Sequence, residues 1–288
     1  MKYAFLALAA VLTALAVWAG DAETAAPPGL ALWETAVSKK VESTPELMSL
    51  GKKIYAQRCA LCHGKSGAGD GAASLLLDVA PRNFTTAVYK FKTTTPAQAL
   101  ASDRDIFRSI TTGFPAHGMP AFSYLTATQR WALVHHVQKL TRDGLVASLK
   151  AIAEENDDDY DPAEAEEILK PAPEIEIPSE PKDVDLARGK ALYVEQCAKC
   201  HGDTGKGDGP SVNEELKDNW GHIVRPRNMA AGRAYRKAGW RARDTVRMIL
   251  LGIPGTPMPV IEIDVKTPEG RRDIWSLARF VETLEKKR

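Results

Sequence analysis

The sequence predicts an all-α protein of two tandem lobes joined by an acidic, Pro-rich linker, and three observations carry that prediction. The stretch CALCHGKSGAGDG at residues 59–71 returns as CAKCHGDTGKGDG at 197–209. Apolar residues recur at helical spacing late in each half, at Trp131, Val134 and Leu140 and at Trp275, Ala278 and Val281, with no alternating strand pattern to compete. The formal net charge of +1 is unevenly spread. Residues 1–152 hold 16 basic and 10 acidic side chains, residues 153–188 hold 3 and 14, and residues 189–288 hold 19 and 13. Two basic lobes therefore flank an acidic strap. With 44% hydrophobic and 26% charged residues, the chain is of ordinary globular composition.

In chain order, residues 1–20 read as a signal peptide or an N-terminal anchor. Lys2 precedes the uncharged run YAFLALAAVLTALAVWAG, in which Val17 and Ala19 suit cleavage after Ala19. Its eighteen residues also reach the lower limit for a membrane span. Either way the bulk of the chain is expected to be exported. The first lobe is expected over 45–145, the linker over 146–185 and the second lobe over 186–288. The linker is too charged and too interrupted by proline to bury a core. One short helix is expected in it, capped by Asp161, with Pro162 at its first position and Leu169 near its end. The PAPEIEIPSEP tail should be extended.

The duplication reaches well beyond the cysteines. Gly51, Lys52 and Tyr55 pair with Gly189, Lys190 and Tyr193, and Pro81, Arg82 and Asn83 pair with Pro226, Arg227 and Asn228. DIFRSITTGFPAHGMP at 105–120 pairs with DTVRMILLGIPGTPMP at 244–259, aligning Met119 with Met258. Each unit reads as a helix entering the first cysteine, a glycine-rich loop, a second helix, a Met-Pro turn and a closing helix. All four cysteines, Cys59, Cys62, Cys197 and Cys200, belong to the repeated motif, so bound chemistry is favoured over disulfide stapling. Two thiols three positions apart followed by histidine suit thioether bonds to the two vinyl groups of a haem, with the imidazole reaching the iron from one side. A redox dithiol and a zinc site use similar spacing. Neither explains a Met-Pro at nearly the same distance in both halves.

On these residues each half resembles a class I cytochrome c domain, over 47–140 and 186–285, and the chain looks like a two-domain dihaem cytochrome c. The resemblance implies two covalently bound haem c groups, held by Cys59 and Cys62 and by Cys197 and Cys200. It implies His63 and His201 as proximal iron ligands, with Met119 and Met258 in the distal positions. It further implies that the Pro81 and Pro226 carbonyls orient the proximal imidazoles. Arg82 and Arg227 would neutralise haem propionates, although arginine is also ordinary surface charge. Gly51 and Gly189 would mark the crossing of the first helix with the last, opposite His136 and Phe280. A methionine is more commonly core packing than ligand, but position in both copies favours ligation. His117 is a rival distal ligand in the first lobe, and His135, His136 and His222 are more remote rivals.

Two further features depart from simple repetition. The second half carries seven extra residues between His201 and Pro226, including Trp220 and His222, suited to a haem edge or an interlobe contact. From Arg225 to Arg247 there are eight basic residues and a single acid, Asp244. This run could steer an acidic redox partner, compensate propionates or dock the chain's own linker. The function expected is an exported, periplasmic electron carrier passing single electrons between respiratory redox protein partners, without substrate chemistry of its own. The alternatives are a dihaem redox enzyme of peroxidase or thiosulfate-oxidising type with one labile distal ligand, and a membrane-tethered subunit of a larger respiratory complex. Nucleic acid is not an expected partner, since no reading motif is present.

Overall fold

The computed structural model describes residues 32–96, 100–231 and 241–285; residues 1–20, expected to be a signal peptide or anchor, and Arg233, Arg236 and Lys237 of the basic run lie outside them. Among the described residues the regular structure is helical, and β-pairing is limited to isolated bridges. The first lobe is built from α1 (Pro45–Arg58), α2 (Ala60–His63), α3 (Asp103–Thr112) and α4 (Ala127–Glu155). The linker holds α5 (Pro162–Leu169), and the second lobe contains α6 (Leu186–Gln196), α7 (Ala198–His201), α8 (Ala242–Leu251) and α9 (Pro268–Thr283). No described helix is long and apolar enough to cross a membrane.

Local chemistry sets the helix starts. Thr44 accepts the Leu47 N–H ahead of Pro45, and Asp185 accepts the N–H groups of Ala187 and Arg188. Thr126 and Gln129 form a reciprocal capping box at the head of α4. The first and last helices of each lobe then cross at a glycine. A Cβ on Gly51 would stand 2.1 Å from the Ala132 carbonyl oxygen and 3.2 Å from His136 Cβ. One on Gly189 would stand 2.1 Å from the Ser276 oxygen and 3.0 Å from Phe280 Cβ. Any side chain there would force the helices apart, so the crossings fall where the resemblance placed them.

Around each crossing lies a separate apolar core. Phe107, Trp131, Leu133 and Val134 are sealed in the first lobe, and Tyr193, Val246, Ile274 and Leu277 in the second. Each such side chain contributes about 1.5–3 kcal/mol relative to exposure. A buried aspartate heads the third helix of both lobes. Asp105 accepts from the Thr93 and Ser102 N–H groups, and Asp244 from the Arg241 N–H. Arg108 and Arg247, one turn on, lie 3.5 and 3.0 Å from these carboxylates.

The expected linker differs from the structure at both ends. α4 continues to Glu155, because VASLKAIAEE at 146–155 is made mostly of strong helix formers with no breaker. α5 forms where expected, with Asp161 accepting the Ala163 N–H. The extended tail is not a free tether. Ile175 donates to the Thr93 carbonyl at 2.6 Å, and Thr95 donates to that of Pro173 at 2.9 Å, on the first lobe. Ile177 then enters the core of the second lobe, and Trp275 Nε1 donates to the Pro178 carbonyl at 3.1 Å. Two of the linker's acids pair with α9, Glu180 binding Arg279 through two 2.6 Å bonds and Asp183 lying 3.6 Å from Arg272, while Glu166 and Glu174 pair with Arg142 and Arg104 of the first lobe.

Residues 32–44 form a second strap ahead of the expected start of the first lobe. Trp131 Nε1 donates to Ser38 Oγ at 3.0 Å, and His135 Nε2 to the Val41 carbonyl at 2.8 Å. The same strap reaches the second lobe, where Glu34 pairs with Arg241 at 2.6 Å and the Arg247 guanidinium lies 4.8 Å from the Trp33 ring centre. Of the basic run, Arg241 and Arg247 are engaged by this strap, and Arg227 by His117 of the first lobe.

Candidate functional site

Each site begins at a break of one residue between two helices. Cys59 ends α1, donating its N–H to the Tyr55 carbonyl at 2.8 Å, and its own carbonyl accepts from both Cys62 and His63. Cys197, Cys200 and His201 repeat these bonds. The kink thus gathers two thiols and an imidazole within one turn. Tyr55 and Tyr193, both buried, brace it by donating to the Gly64 and Gly202 carbonyls at 2.8 and 2.7 Å. None of the four cysteines forms a disulfide. Burial, with the neighbouring sulfur of each pair, pushes the Cys59 thiol up to about 12 and that of Cys197 to about 11.

The imidazoles are oriented by backbone, and here one expectation is corrected. His63 Nδ1 lies 3.0 Å from the Arg82 carbonyl and His201 Nδ1 3.3 Å from that of Arg227, one residue beyond the prolines. The Pro81 and Pro226 carbonyls instead press on Gly69 and Gly207, 2.8 and 2.4 Å from where a Cβ would stand. The loop turns at the proline, so the next carbonyl is the one that faces the ring. A carbonyl only accepts, so Nδ1 carries the proton and Nε2 keeps a lone pair. Burial lowers the pKa of both histidines, which favours this neutral, ligating form. His63 also stacks on Phe84, with ring centres 4.7 Å apart, a partner the sequence did not single out. Met229 occupies the corresponding position in the second lobe.

The two methionines sit in equivalent turns. Met119 exchanges backbone hydrogen bonds with Phe114, and Cys59, Phe84 and Met119 border one apolar core. Met258 accepts the Ile253 N–H with its carbonyl at 3.1 Å and donates its own N–H to Thr256 Oγ1 at 3.2 Å. The rival histidines have other partners. His117 Nε2 lies 3.1 Å from a guanidinium nitrogen of Arg227, which can only donate. His135 holds the Val41 carbonyl, His136 packs edge-on against Tyr55 at 4.9 Å, and His222 is exposed in the inserted segment.

Arg82 lies with its guanidinium 4.3 Å from the Trp220 ring centre. Burial pushes it down to about 10, against the opposing pull of the Asp218 carboxylate. A buried cation in that condition is suited to additional anionic groups such as propionates. Paired thiols at the helix break, neutral imidazoles whose Nε2 keeps a lone pair, and an arginine following the proline beside each imidazole together fit covalent haem c.

Comparison with known proteins agrees. The family model described as cytochrome C oxidase, cbb3-type, subunit III matches residues 46–137, and the one described as cytochrome c matches 186–285. The chain is a dihaem c-type cytochrome. Covalent haem c is therefore bound in each lobe of this cytochrome, through Cys59 and Cys62 and through Cys197 and Cys200. A chain of the Kuenenia stuttgartiensis reducing HAO-like protein complex shares its architecture at 30% identity. That match covers 88% of the cytochrome and all of the solved chain, with a TM-score of 0.66. Thiosulfate dehydrogenase of Stutzerimonas stutzeri (strain A1501) is 41% identical over 46 residues, 16% of the cytochrome and 15% of that enzyme.

Proposed function

We propose that the cytochrome is an exported, periplasmic carrier that accepts one electron at a time from one redox protein and passes it to another. The observation that carries this reading is the matched Met turn: Met119 and Met258 lie at the same point of both lobes, and in each turn the Met carbonyl accepts the N–H of the residue five positions earlier, Phe114 or Ile253. Haem c supplies the one-electron Fe(III)/Fe(II) couple. His63 and His201 would offer Nε2 from the proximal side, held by the Arg82 and Arg227 carbonyls, and the two thioethers would fill the distal side. A soft thioether favours the ferrous state and raises the potential relative to a second imidazole. Arg82 and Arg227 would balance charge near the propionates. The N-terminal run would serve as the export signal or hold the protein at the membrane, and the partners would be protein surfaces, not nucleic acid. The solved relative's place in a protein complex supports a working position within a larger redox assembly.

Near-infrared magnetic circular dichroism of the oxidised holoprotein tests the ligand sets. Two His/Met signatures with no high-spin signal are expected; a high-spin haem would sink the carrier reading, and a bis-histidine haem would exclude methionine ligation in that lobe. The short match to thiosulfate dehydrogenase favours one rival, a dihaem enzyme. Anaerobic thiosulfate should leave the oxidised protein oxidised. Haem reduction by thiosulfate with no other protein present would select the enzyme instead.

A further inference from the structure

The seven additional residues of the second lobe have no counterpart in the first, so the domain fold does not require them. They form a small hairpin. Lys217 pairs with Ile223, Val224 donates to the Leu216 carbonyl at 2.8 Å, and Asp218 donates to that of His222 at 2.9 Å. The Asp218 carboxylate, buried at the base, accepts the Trp220 and His222 N–H groups at 3.1 and 3.0 Å. The tip is thereby shaped to present Trp220.

Trp220 stands between the two haem sites. On one side the Asn219 N–H donates to the Gly255 carbonyl at 3.0 Å, in the turn that leads to Met258. Gly255 has φ +76, and a Cβ there would stand 2.5 Å from the indole, so only glycine admits the ring. On the other side the indole faces Arg82, the residue whose carbonyl orients His63. Lys90 of the first lobe lies 5.9 Å from the ring centre and 3.4 Å from Asp218. A second bridge runs the opposite way. Arg227, whose carbonyl orients His201, places its guanidinium on His117 in the Met119 turn. The proximal wall of each site thus touches the Met turn of the other.

We infer that the 216–224 hairpin is a clasp, with Trp220 as its positioning residue, that holds the His63 wall of the first site against the Met258 turn of the second and so sets the rate of electron exchange between the two haems. This rests on the two-haem carrier reading above. One electron leaves one ferrous haem and reduces the other ferric haem, with no net change in the molecule. Exchange of this kind falls steeply with separation, so a contact that fixes the separation controls the rate.

The test uses the full-length holoprotein and its Trp220→Ala, Trp220→Phe and Asp218→Ala variants, each checked for two haems by absorbance. A flash-generated reductant delivers a single electron to the oxidised protein, and the subsequent exchange between haems is timed. Small-angle scattering gives the lobe separation independently. Trp220→Ala should slow exchange roughly tenfold, equivalent to about 1.4 kcal/mol, and raise the radius of gyration. Asp218→Ala, which releases the hairpin without touching the indole, should move both readouts the same way. Trp220→Phe, which keeps a ring against Arg82, should restore most of the rate. Unchanged exchange and unchanged scattering in both alanine variants would overturn the clasp while two His/Met signatures left the carrier reading intact. A wild-type protein with a high-spin haem, or showing no exchange at all, would overturn both.

Discussion

The two lobes agree in the attachment motif and the bonds that brace it, and differ in some of the side chains packed around it and at the seam between them. Gly51 and Gly189, Tyr55 and Tyr193, and the arginine carbonyls on His63 and His201 are superposable solutions to the same local problems. Against that, His136 of the first lobe is Phe280 in the second, and Phe84 is Met229. Leu61, Leu75 and Leu76, strongly exposed in the first lobe, stand where the second has Lys199, Asn213 and Glu214. The hairpin exists on one side alone. Attaching a haem constrains a small set of residues tightly, whereas the remaining surface can be specialised for the seam.

The harshest challenge to that symmetry is removal of one attachment site. Cys59→Ala with Cys62→Ala should abolish covalent haem in the first lobe and leave the second loaded, halving the haem absorbance per chain. Cys197→Ala with Cys200→Ala should give the same half value, and an unequal result would show that one lobe depends on the other for loading. Next in size, Gly51→Val and Gly189→Val should each cost about 3 kcal/mol, because a side chain must displace a helix whose carbonyl lies 2.1 Å away. Denaturant unfolding would measure this, and a small loss in only one variant would mean that the crossings are not equivalent.

The mildest change sharpens the contrast at His136. Burial, then the charges of Lys52 and Lys139, lowers its pKa below the ordinary 6.5, with Asp143 opposing. Below about pH 6.5 the unfolded chain takes up a proton that the folded chain resists. The stability present above that value is therefore lost as pH falls toward the depressed folded pKa. His136→Phe keeps a ring against Tyr55, as Phe280 does against Tyr193 at 5.3 Å, and should flatten the decline. Denaturation at neutral pH and at about pH 5 gives the comparison; an unaltered slope would exclude His136 as its source.

Much of the architecture was legible because it is local. The C-x-x-C-H spacing, the Met-Pro turns, the crossing glycines and the Asp161 cap each act within a few residues or recur in two copies. The orienting carbonyl was missed by one residue, since carbonyl direction depends on how the loop turns after Pro81 and Pro226. The continuation of α4 was missed because charge was read as a sign of linker, although Lys and Glu among Ala and Leu also make good helix. Contacts of the 32–44 strap with the second lobe, or of Trp220 with Arg82, join residues far apart in the chain and leave no periodic trace. Length did leave one: the seven additional residues pointed to the place where the lobes meet.

The strap bears on how the protein is made. A ribosome delivers the N-terminal end first, yet Trp33 and Glu34 find their partners on Arg247 and Arg241, near the other end of the chain. Both lobes can close their own helices as they emerge, since those contacts lie within each half, but the seam must wait for the last helices. Assembly therefore has a natural order, with the lobes formed first and the strap latched last. Trp33 and Glu34 can dock only once Arg241 and Arg247 are in place, so their docking marks the completion of the seam.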